Sequence, residues 1–78
     1  TEITLNNASF STYTSLATII SGATGFKSME KSFSSGVGNY SVTHSGSTDD
    51  LLTQMTKKLG TTFEVTGEES GKIEIKVK

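Results

Sequence analysis

The chain predicts an α+β domain in which two helices cover one face of a mixed sheet. Three observations carry that expectation. Apolar and polar residues alternate in several short runs, the apolar spacing changes twice to the three-and-four rhythm of a helix, and Asn, Ser and Gly residues stand between the runs where turns are needed. A length of 78 residues leaves room for one core, so 1–78 is read as a single domain, expected to be a fragment or the mature part of a longer protein because it starts at Thr1.

Ile3 and Leu5 alternate with Glu2 and Thr4 in a first strand, and Asn6-Asn7 supplies the turn that ends it. Phe10, Tyr13, Leu16, Ala17 and Ile20 then line one helical face from about Ser11 to Ser21, with Ser9 or Ser11 as the hydroxyl cap and Gly22 closing the last turn. Gly25 leads into Phe26. Met29, Lys31 and Phe33 share one face of the next strand, Ser34-Ser35-Gly36 turns the chain, and Tyr40, Val42 and His44 alternate on the way back. A second helix is signalled by Ser47 three residues before Asp50, by acids in its first turn and by Lys57 and Lys58 in its last. Leu51, Leu52, Met55 and Leu59 make its apolar stripe, and Gly60 stops it. Phe63 and Val65 form a strand, Gly67 to Gly71 a turn, and Ile73, Ile75 and Val77 alternate with lysine and glutamate in the last strand.

Strands joined through a helix must run parallel, and strands joined by a tight turn run antiparallel. The order strand–helix–strand–strand–helix–strand–strand therefore predicts a ferredoxin-like split βαβ sandwich, βαββαβ with one extra C-terminal strand. Its helix-free face should carry Glu2, Thr4, Asn39, Ser41, Thr43 and the charges of the last strand. Lys72, Lys76 and Lys78 are expected to keep an exposed edge or face from pairing with another chain.

This layout resembles the heavy-metal-associated domains of copper chaperones and metal-transporting ATPases. The resemblance rests on Ile3-Thr4-Leu5, on Gly25-Phe26-Lys27-Ser28-Met29-Glu30, on Tyr40-Ser41-Val42, and on Ser47 to Gly60 followed by Phe63-Glu64-Val65. It spans about Thr1 to Val65 and implies the same α+β scaffold. That family binds soft metals with a Met-x-Cys-x-x-Cys loop after the first strand. Here the loop reads Asn6-Asn7-Ala8-Ser9-Phe10-Ser11-Thr12, without a thiolate, so no metal-binding residue is carried over.

Composition removes further chemistries. With no cysteine, disulfide frameworks, thiolate metal sites and thiol nucleophiles are excluded. Seven basic against eight acidic residues give a net charge of −1, which leaves no electrostatic basis for nucleic acid, and no run reaches the ~18 apolar residues a membrane helix requires, so no membrane insertion is expected. His44, the single histidine, lies near Ser45, Ser47, Asp49 and Asp50, but hydroxyls are so frequent in this chain that their proximity does not make a triad. No catalytic residue, cofactor or resident metal is therefore assigned.

By elimination, the expectation is a non-catalytic binding or structural module acting through protein–protein contacts. The richness in Ser and Thr leans toward a bacterial envelope protein. The alternative is a metal-handling domain that uses oxygen ligands around Asn6, Asn7, Ser9 and Ser11.

Overall fold

In the computed structural model, which describes Thr1–Lys78, the alternating runs become β1 (Glu2–Asn6), β2 (Phe26–Ser34), β3 (Val37–His44), β4 (Phe63–Glu69) and β5 (Lys72–Val77). The two helical runs become α1 (Phe10–Ser21) and α2 (Thr48–Leu59). The strands form one mixed sheet in the order β2-β3-β1-β5-β4. β1 pairs antiparallel with β3 and parallel with β5, while β2–β3 and β4–β5 are antiparallel hairpins. Each helix thus joins two parallel strands that are not neighbours: β3 lies between the strands that α1 connects, and β1 and β5 lie between those that α2 connects.

The last strand is inserted between β1 and β4 rather than added outside them. Of the two placements expected for the terminal lysines, an exposed edge or face, Lys72 and Lys76 take the face. β5 is an interior strand, so Lys72 and Lys76 sit on the open face of the sheet, opposite Glu69 and Glu64, and the free edges belong to β2 and β4. The open face is polar as expected, with Glu2, Asn39, Ser41, Thr43, Lys72, Glu74 and Lys76 exposed. Ile3, Leu5, Tyr40, Val42, Ile73 and Ile75 point the other way, into one core of 14 buried apolar residues shared with the helices.

Ser9 caps α1. Its hydroxyl accepts from the Thr12 amide at 3.3 Å, and the Thr12 hydroxyl accepts from the Ser9 amide at 2.8 Å, a reciprocal box that starts the helix one residue before the predicted position. Tyr13, Leu16, Ala17 and Ile20 are buried as their spacing predicts. Phe10 is not: it is 69% exposed. A helical side chain leans toward the helix N-terminus, and at the first helical position no preceding turn lies there to cover it.

Ser47 caps α2 in the same manner, accepting from the Asp50 amide at 3.2 Å while the Asp50 carboxylate accepts from the Ser47 amide at 3.3 Å. Leu51, Met55 and Leu59 are buried, whereas Leu52 stands half-exposed at the margin of the stripe. In the β2–β3 turn both Ser35 and Gly36 take positive φ, 51° and 76°, as a two-residue hairpin loop with the twist of its strands requires. The second hairpin is tighter than predicted: β4 continues through Gly67 to Glu69, and only Ser70 and Gly71 remain as the loop.

Candidate functional site

Four aromatic rings form a cluster that reaches from the core to the surface, Phe10 lying 6.0 Å from Tyr13 as well as beside Phe33. Tyr40 on β3 is buried and donates its hydroxyl to the Tyr13 carbonyl at 2.7 Å, tying the sheet to α1. The Tyr13 and Tyr40 rings stack with centroids 5.4 Å apart. Phe33 on β2 lies 5.2 Å from Tyr13, and Phe10 lies 6.2 Å from Phe33, edge to face. Gly38 makes the stack possible: a Cβ there would stand 2.8 Å from Tyr13 Cδ1. Burial, and after it the neighbouring Tyr13, pushes the Tyr40 phenol above the ordinary tyrosine range, so it remains a donor.

The outer end of this cluster reaches the free edge of the sheet. β2 has nine residues, the longest strand of the molecule, and pairs on one side only. A register shift between Phe26 and Ser28 restores Phe26 to the helix-side face, so that Phe26, Met29 and Phe33 stand there half-buried, with Lys31 exposed between the last two. The Ala8 amide donates to the Gly36 carbonyl at 2.7 Å and fixes the β2–β3 turn against the segment that launches α1, which places Phe10 beside Phe33. Periodicity alone assigned Phe10 to the core. The signal that could have placed it outside is its position immediately after the Ser9 cap.

The opposite edge differs. β4 carries three charges of one sign, Glu64, Glu68 and Glu69, where β2 mixes Lys27, Glu30 and Lys31, and its register shifts in mid-strand, between Val65 and Gly67, where that of β2 shifts at its start; like charge and a central bulge discourage a further strand. Desolvation, then the hydrogen bond and charge of the adjacent Asp49 carboxyl, push Glu68 above the ordinary glutamate range.

His44 sits half-buried at the other end of β3. Its Nε2 lies 2.5 Å from the Thr1 hydroxyl and its Nδ1 3.2 Å from the Ser45 carbonyl, and the Thr1 hydroxyl also touches that of Thr48 at 3.2 Å. The residues around the ring do not assemble into a triad. Ser45 donates its hydroxyl to the Gly25 carbonyl, Ser47 and Asp50 are engaged in the α2 cap, and Asp49 faces Glu68. The open hollow beside His44 is lined by hydroxyls and backbone and contains no carboxylate.

Of the four oxygen-bearing residues named for a metal, two have side chains engaged in bonds of the fold. Asn6 ends β1 opposite Lys76, Asn7 donates its side-chain amide to the Val77 carbonyl at 3.1 Å, Ser9 is the α1 cap, and Ser11 is exposed on the helix. A shallow depression of about 280 Å³ crosses the open face at Glu2, Thr4, Glu30, Asn39 and Ser41; it is polar and wide open. No helix is long and apolar enough to cross a membrane. No protein-family model, curated protein or solved structure matches the chain.

Proposed function

We propose that this domain is a non-catalytic protein-binding module, and that it receives its partner at the end of β2 where Phe10 and Phe33 emerge. The observation that carries the reading is Phe10. A phenylalanine exposed to 69% is otherwise a liability in so small a domain, and it is the one large apolar side chain left outside the core. It rests on a cluster of rings whose inner member, Tyr40, is buried and hydrogen-bonded to α1, so a partner meets a packed support.

The scaffold in this reading is ferredoxin-like, with one strand inserted beside β1. Support for it comes from the two helices that each join parallel, non-adjacent strands. The likeness to heavy-metal-associated domains then concerns the scaffold, and the surface used is the sheet edge rather than the loop after β1. A net charge of −1 suits protein partners better than nucleic acid.

Site-directed photo-crosslinking in the native cell tests this. A photoreactive side chain in place of Phe10 should join the domain to one identifiable protein, and the same group in place of exposed Thr18 should not. Equal products from both positions would overturn the reading, as would loss of a measurable enzymatic turnover on His44→Ala in a folded domain.

A further inference from the structure

We infer that the occupant of the β2 edge is an extended protein segment that adds as a sixth strand, antiparallel to β2, with apolar residues opposite Phe33 and Met29, an acidic residue opposite Lys31 and a basic residue opposite Glu30. The inference rests on the protein-binding reading above and specifies the partner's chemistry.

The first ground is the edge itself. Main-chain donors and acceptors on the outer side of β2 have no strand to pair with, and between Met29 and Phe33 the strand keeps regular register with β3. The bulge sits at the far end, between Phe26 and Ser28, and leaves this stretch in unbroken register to template another strand. β4 lacks that property, for the reasons of charge and register given above.

The second ground is the side-chain pattern. On the helix side the edge reads apolar, cationic, apolar: Met29 and Phe33 are half-buried, awaiting a neighbour, and exposed Lys31 lies between them. On the open side Glu30 is exposed between Ser28 and Ser32. Directly opposed side chains on adjacent strands decide pairing, and opposite charges favour it where like charges oppose it.

The same pattern selects against a second copy of this chain. Antiparallel self-pairing that brings Met29 opposite Phe33 places Lys31 opposite Lys31, and shifting by one rung of the same face to bring Lys31 opposite Met29 places Glu30 opposite Glu30. The opposite shift, with Lys31 opposite Phe33, opposes no like charges but leaves Met29 facing Ser35 in the turn beyond the strand, so no self-paired register satisfies both the apolar and the charged positions. A foreign strand with the complementary pattern meets none of these penalties.

The probe is the blocked heptapeptide Thr-Val-Thr-Glu-Lys-Val-Thr, with Thr-Val-Thr-Lys-Glu-Val-Thr as its charge-exchanged control, each titrated at millimolar concentration into the labelled domain while amide resonances are recorded. The expected result is saturable shifts along Met29 to Phe33, with the first peptide binding about fivefold more tightly than the control. The double variant Glu30→Lys, Lys31→Glu, altered only at exposed positions, should reverse the preference.

Shifts confined to the Phe10 and Phe33 rings with no charge preference would overturn the strand-addition inference and leave the protein-binding reading in place. Shifts on β4, or no shift at all, would overturn it equally, and the crosslinking outcome from Phe10 would then decide separately whether any protein binds there. Concentration-dependent shifts of β2 without peptide would show a second copy as the occupant and refute the charge argument.

Discussion

Tyr40 shows how much one side chain can fix. Its ring stacks on Tyr13, its hydroxyl reaches the helix backbone, and Gly38, lacking a side chain, leaves the space in which both rings lie. We predict that Tyr40→Phe lowers stability at neutral pH by about 0.5–1.5 kcal/mol, the net worth of one hydrogen bond, as read by urea denaturation. The pH dependence has a definite sign. Because the folded phenol titrates above the unfolded one, the stability it contributes is complete below the ordinary tyrosine value of about 10 and is lost as pH rises toward the higher folded value. The stability gap between wild type and Tyr40→Phe should therefore narrow above that pH. A gap of constant size at neutral and alkaline pH would show that the phenol is not held in its neutral form.

At the scale of an element, α2 separates a stripe read from spacing from the face that is buried. Leu51→Ala and Leu59→Ala should each cost about 2–5 kcal/mol, since each opens a cavity in the single core, and Leu52→Ala should cost less than half as much because its side chain already meets solvent. Chemical denaturation of the three variants checks this, and equal losses would mean that the helix is rotated from the orientation described. The existence of every element was legible in the sequence, because alternation and helical spacing are properties of local runs. The Ser47 cap and the burial of Tyr40 beside Val42 followed from the same local logic. What escaped it depended on neighbours distant in sequence. The packing of Phe10 beside Phe33 depends on how the β2–β3 turn meets the start of α1, the interior place of β5 on which strand it chooses, and the length of β4 on Gly67 facing Glu74 across the hairpin. The candidate site was missed for that reason: it joins the start of a helix to the end of a strand more than twenty residues later.

For the molecule as a whole, the parallel pairing of β1 with β5 sets the direction in which the domain resists being stretched. Glu2 lies beside Lys72 and Asn6 beside Lys76, so the chain enters at one pole of the sheet and leaves at the other. Tension between Thr1 and Lys78 therefore slides two neighbouring strands lengthwise past each other and strains every rung between them together, whereas tension across the sheet opens rungs one by one. Single-molecule pulling should find an abrupt, high-force rupture when the ends are gripped, and a lower force when the grips are cysteines introduced by Glu30→Cys and Glu69→Cys on the two outer strands. Equal forces would refute this. The cysteine-free sequence makes such handles unambiguous. If tethers extend from both poles, the domain is a shear latch: stiff along its length, yielding when peeled from the side.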